Sequence, residues 1–140
     1  MVDSRLRSIV FDCIQPSALA HFWAAALRYT VRPYDQAEID RLHAAGFDIH
    51  TDPSIVIDPP AAGPTIWFNR VPEPKATKNR VHIDLSLDRL EDIEHLVKLG
   101  ASVLRSADEV PGEYWLILAD PEGNEFCAFP PPSKQGSSEL

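Results

Sequence analysis

Apolar and polar positions change period several times along this chain, and each change predicts an element. Ser8–Cys13 (Ser-Ile-Val-Phe-Asp-Cys) is a short apolar run of buried-strand type. Gln15-Pro-Ser17 then supplies turn and cap chemistry, and residues 18–27, apolar almost all round, predict a helix. A strand is expected at 29–32, followed at 35–45 by a short amphipathic helix that Gly46 closes. Strands are expected at Ser54–Asp58 and 65–71, with a connector over 71–78. Beyond it the pattern predicts a strand at 81–87, a helix at 90–99 stopped by Gly100, and strands at 102–105, 114–119 and 124–129. Asp120-Pro-Glu-Gly-Asn124 reads as a tight turn into the last strand, because Asp-Pro starts a turn while Gly123 and Asn124 tolerate positive φ.

Laid over each other, both halves read strand, helix, strand, strand, strand. Ser8-Ile-Val-Phe-Asp-Cys13 falls on His82-Ile-Asp-Leu-Ser-Leu87, and Trp67-Phe-Asn-Arg-Val-Pro72 falls on Glu125-Phe-Cys-Ala-Phe-Pro130. The expected fold is therefore α+β, built of two βαβββ modules. The first covers 1–72 with a helical insertion at about 35–46, a linker spans 73–80, the second module covers 81–131, and a polar tail at 132–140 is expected to be disordered.

Composition narrows the partners. A net charge of −8 repels phosphate backbones and anionic lipid alike, so neither nucleic acid nor a membrane surface is expected as a partner. No apolar run approaches the roughly 20 residues of a membrane span. Cys13 and Cys127 both lie in apolar strand-like runs, with no paired spacing and no signal peptide ahead of them, which points to a reduced, cytoplasmic setting. Lys75, Lys78 and Arg80 read as a solvated connector.

Side chains alternate along a strand, so His82, Asp84 and Ser86 share one face while Val81, Ile83, Leu85 and Leu87 share the one that belongs under a helix. By the same count Trp67, Asn69 and Val71 point one way, as do Glu125, Cys127 and Phe129. Each of these has a plainer reading beside the functional one. His82 can be a strand-edge imidazole bonded to Asp84, and Cys127 a small buried hydrophobe. A nucleophilic Cys127 would need a base close by, which His82 supplies only if the strands bring the two together. Trp67 and either Tyr114 or Trp115 can wall a small-molecule pocket or simply fill a sheet core, and Trp23 reads as core. His21, His43, His50 and His95 read as structural or solvated residues. No phosphate loop, Gly-x-Ser-x-Gly elbow, His-Glu-x-x-His or Cys-x-x-Cys is present.

The order of elements, together with Val71-Pro-Glu-Pro-Lys, Asn79-Arg-Val-His and Asp120-Pro-Glu-Gly-Asn-Glu-Phe-Cys, resembles the glyoxalase-like branch of the vicinal-oxygen-chelate superfamily, over nearly the whole chain to Pro130. The resemblance implies two curled mixed sheets forming an incomplete barrel around a cleft, and a homodimer. In metal-dependent members two His and two Glu occupy the first and last strands of the modules. Carried over by register, those positions are Ser8, Asn69, His82 and Cys127, of which His82 and Cys127 can ligate a metal, an incomplete set. The resemblance thus implies a protein that binds a small, largely apolar molecule without a tightly held metal, lined by Trp67, Asn69, Trp115, His82, Asp84, Glu125 and Cys127. The alternative is a lyase or isomerase of glyoxalase type, in which His82, with Cys127 and a weakly held divalent metal, polarises substrate oxygens while Asp84 or Glu125 moves a proton. A module with a vestigial cleft is the third reading.

Overall fold

The computed structural model describes residues 1–108 and 111–132 and divides into two compact units, Met1–Ala76 and Thr77–Leu140. In the first, β1 (Ser8–Cys13) leads into α1 (Pro16–Leu27), β2 (Thr30–Val31), α2 (Gln36–Ala44), β3 (Ser54–Asp58) and β4 (Thr65–Arg70). In the second, β5 (Ile83–Ser86) leads into α3 (Asp92–Leu99), β6 (Ser102–Ala107), β7 (Trp115–Ala119) and β8 (Glu125–Phe129). The sheets run β1-β4-β3-β2 and β5-β8-β7-β6. In both, the first strand is parallel to the last and the remaining pairs are antiparallel. The fold is α+β: two βαβββ modules, each carrying an open mixed four-stranded sheet.

One face of the first sheet is sealed by α1. Leu19, Ala20 and Trp23 of the helix and Ile55, Ile57, Ile66 and Phe68 of the strands are all buried, and Phe11 stacks on Phe68 with ring centroids 5.3 Å apart. α1 opens at Pro16, two residues before the expected 18: the proline sits in the first turn, where a missing N–H costs nothing, and Gln15 at the cap makes no side-chain cap bond. Arg28 ends the helix in the left-handed conformation, so β2 begins only at Thr30. Asp35 caps α2 by accepting from the Glu38 N–H at 2.8 Å, and Gly46 follows the helix at φ 87°.

In the second unit, β5 is shorter than the expected 81–87: Val81 and His82 precede the ladder, although the Leu87 N–H still donates to the Phe129 carbonyl. α3 starts at Asp92 because 88–91 forms a turn. β6 runs on to Ala107, with a register shift between Val103 and Arg105. The expected tail falls, from residue 133, outside the described residues. Among the described residues no helix is long and apolar enough to cross a membrane.

Candidate functional site

Each sheet has a second face, opposite its buried one, where the polar and aromatic strand residues gather. In the second unit the parallel β5–β8 ladder sets Asp84 beside Cys127, and the antiparallel β7 adds Ile117 on the other side of Cys127. One step along, Trp115 stacks on Phe129 at 5.4 Å, while neighbouring Tyr114 is exposed. His82, just ahead of β5, brings Nε2 to 3.3 Å from Asp84 Oδ1. One donor atom each from His82, Asp84 and Cys127 lies within 4.8 Å of the others. Glu125 is less available than its position implies: Lys78, expected to be merely solvated, forms an ion pair with its carboxylate, and its N–H donates to Asn79 Oδ1.

Cys127 is 7 % exposed, and burial, followed by the charge and hydrogen bond of Asp84, raises its thiol above the ordinary 9.0, with Lys78 and Arg105 opposing. A thiol raised in this way is protonated near neutrality and is a poor nucleophile. Asp84→Asn removes the repelling charge, so its Cys127 thiol should titrate lower and be alkylated by iodoacetamide several-fold faster at mildly alkaline pH. Peptide-resolved mass spectrometry reads this apart from Cys13. An unchanged or slower rate would show that Asp84 does not hold the proton on Cys127. Cys13 and Cys127 are both free thiols.

In the first unit the ladders set Trp67 between Val10 of β1 and Val56 of β3, and Asn69 between Asp12 and Ser54. The Ser54 hydroxyl donates to Asn69 Oδ1 at 2.7 Å. Trp67, Ser54 and Val56 help line a cavity of about 440 Å³ that reaches residues outside the sheet: Arg32, Tyr34, Glu38, Arg41, Leu42 and Asp52. Arg32 donates through Nε and Nη2 to both oxygens of Asp58, at 2.9 and 2.7 Å, and its guanidinium carbon stands 5.9 Å from the Trp67 ring centroid. That pairing lowers the Asp58 carboxyl and raises Arg32 from their ordinary values. The Tyr34 hydroxyl donates to Asp52 Oδ2 at 2.7 Å, and Asp52, 8 % exposed, also accepts from the Ser54 N–H. Burial, then that bond, raises Tyr34 far above the ordinary tyrosine range.

Sequence reasoning missed Glu38, Arg41 and Leu42 because it treated 35–46 as an insertion to be set aside, and it missed Arg32, Tyr34 and Asp52 because they lie beyond the ends of their strands. The signal that could have found the three residues of α2 is its amphipathic pattern, since such a helix needs a surface to cover.

The ladders also correct the alignment of the halves. Val10 pairs with Trp67 as Asp84 pairs with Cys127, and Val56 pairs with Trp67 as Ile117 pairs with Cys127. Placing Ser8 on His82 then forces Trp67, not Asn69, onto Cys127, and it also brings β3 onto β7 end to end. The first half therefore contributes Ser8 and Trp67 to the four metal positions. A hydroxyl and an indole do not make up a two-His, two-Glu set, so the residues present do not fit that group. The donors that do gather, His82, Asp84 and Cys127, lie wholly in the second unit.

A family model described as a glyoxalase-like domain matches residues 8–129. No curated protein matches the chain. Among solved structures, a mutant of the fosfomycin resistance protein FosX from Listeria monocytogenes, complexed with Mn(II) and 1S,2S-dihydroxypropylphosphonic acid, is 14% identical over 91% of this chain and 90% of that one, with a TM-score of 0.63. TnmS3, an antibiotic binding protein from a Streptomyces species, is 15% identical over 95% and 99%, with a TM-score of 0.59. A glyoxalase/bleomycin resistance/dioxygenase family enzyme from Burkholderia phytofirmans is 17% identical over 89% and 97%, also at 0.59. At these identities the likeness is one of fold.

Proposed function

This chain belongs to the glyoxalase-like domain family, and from that premise we propose that it binds a small organic molecule in the first-unit cavity, against Trp67, without needing a metal there. The observation that carries this reading is the indole itself. Trp67 occupies the register position at which metal-dependent relatives place a ligand, and it lines a cavity of about 440 Å³, within the range of small-molecule sites. An aromatic face with a few fixed polar groups around it is a binding wall, and it supplies no Lewis acid. TnmS3 binds an antibiotic on the same fold, which supports reading this scaffold as a receptor for small molecules.

The test is a fluorescence titration with the probe 1-anilinonaphthalene-8-sulfonate. Trp67→Ala should weaken probe binding about tenfold, the equivalent of ~1.4 kcal/mol of lost contact, while His82→Ala should change it by less than about twofold. Equal affinity in wild type and Trp67→Ala would overturn the reading.

A second reading rests on the three donors of the second unit. We infer that His82, Asp84 and Cys127 are the residues that would hold a divalent ion, and a thiolate among them suits Zn(II) or Co(II) better than the Mn(II) seen with FosX. Bound there, such an ion would polarise a substrate oxygen, as a lyase or isomerase requires. Titration with Co(II) should give a thiolate-to-cobalt absorption band in the near ultraviolet that Cys127→Ser abolishes and His82→Ala weakens. The absence of any band at stoichiometric Co(II) would sink this second reading.

A further inference from the structure

The charged groups around the first-unit cavity differ in whether they are already satisfied. Arg32 is held by both oxygens of Asp58. Asp52 is held by the Tyr34 hydroxyl and the Ser54 N–H. Glu38 and Arg41 line the same cavity from α2, and neither side chain makes a direct hydrogen bond or ion pair among the described residues, although the charge of Glu38 acts at longer range on Arg32 and Tyr34. Three residues apart on a helix, they lie on neighbouring parts of its surface. The apolar part of the lining is Leu42, Val56 and the Trp67 ring. A cavity that offers one open anion, one open cation and an apolar floor is complementary to a ligand with the same three features.

Resting on the reading of this cavity as the ligand site, we propose that it takes a small zwitterion with an apolar body, of the α-amino-acid class. The ligand carboxylate would meet Arg41, its ammonium would meet Glu38, and its side chain would lie over Trp67. Neither charged group of the ligand would need to displace an existing ion pair. A purely anionic ligand would leave Glu38 facing a like charge across the cavity, and a purely cationic one would do the same to Arg41.

The test follows the Trp67 indole N–H by NMR, its resonance assigned from Trp67→Phe, while four probes are titrated: L-phenylalanine, N-acetyl-L-phenylalanine, phenethylamine and 2-phenylethanol. L-phenylalanine should bind about tenfold tighter than either singly charged probe, the worth of one charge-assisted hydrogen bond. Arg41→Gln should weaken L-phenylalanine and N-acetyl-L-phenylalanine and leave phenethylamine unchanged, and Glu38→Gln should weaken L-phenylalanine and phenethylamine and leave the acetylated probe unchanged. Both are side-chain changes on one turn of α2 with no partner to lose, so the fold should be kept, which far-ultraviolet circular dichroism checks. If all four probes shift the indole with equal affinity, or L-phenylalanine is indifferent to both variants, the zwitterion proposal is overturned while the cavity remains a ligand site. If no probe moves the indole and anilinonaphthalene sulfonate also fails to bind, the cavity reading falls with it.

Discussion

Phe68→Ala should destabilise the protein by about 3–5 kcal/mol, the usual cost of emptying a buried phenylalanine site. Phe68 is 0 % exposed and stands in the middle of β4, one of the two strands with neighbours on both sides in the first sheet. Its ring stacks on Phe11, which in turn packs on Trp23 of α1 at 5.5 Å, so deletion opens a void where sheet and helix meet. Neither neighbour can collapse into that void easily, because Trp23 also packs edge-on against Phe22 and is itself 1 % exposed. Urea unfolding followed by circular dichroism should show the midpoint falling with little change in slope. A loss below about 1 kcal/mol would mean that the aromatic layer does not hold the helix to the sheet.

Asp120→Ala should cost about 2–4 kcal/mol, since hydrogen bonds to a charged acceptor contribute more than neutral ones and their loss leaves buried donors unpaired. The Asp120 side chain, in a residue 3 % exposed, accepts from the Glu122 and Asn124 N–H groups at 2.9 Å each and from Asn124 Nδ2. The backbone closes the same turn, with the Asp120 N–H donating to the Asn124 carbonyl and the Gly123 N–H, at φ 85°, donating back to the Asp120 carbonyl. This turn launches β8 and thereby sets where Cys127 lies against Asp84. The variant should therefore also expose Cys127 to alkylation, and Asp120→Asn, which keeps an acceptor, should lose less. Wild-type stability in Asp120→Ala would show that the backbone bonds alone hold the turn.

The turn is a case in which local chemistry sufficed. Asp-Pro starts the expected turn and Gly123 takes its positive φ, while Asn124 serves it by bonding to Asp120 and not by a positive φ. The order of strands and helices was legible for a similar reason: apolar period reports the face an element must bury, and both halves report the same succession. His82 and Asp84 were legible as a pair because two residues along a strand return to one face.

Register was not legible. Moving β8 by two residues against its counterpart keeps every apolar side chain on its own face, so the pattern cannot tell Asn69 from Trp67 as the mate of Cys127. Only the ladders, Val10 with Trp67 and Asp84 with Cys127, decide it. The pairing of Lys78 with Glu125 was equally hidden, because it joins a connector to a strand 47 positions later in the chain. The lining supplied by α2 was hidden because helix 36–44 is read locally as a solvated insertion, and which surface it covers depends on where β3 and β4 lie.

The sequence by itself determined the α+β class, the repeated succession of elements, the turn before the last strand and the face on which each polar strand residue stands. These follow from preferences of one residue or of neighbours a few positions apart. The tertiary structure alone decided that Trp67, not Asn69, stands level with Cys127, that burial and then a carboxylate on the adjacent strand raise the Cys127 thiol, and that Glu38 and Arg41 come to line the same cavity as Trp67. Those are properties of pairs brought together across the sheet, and their energies depend on distances that no local preference encodes.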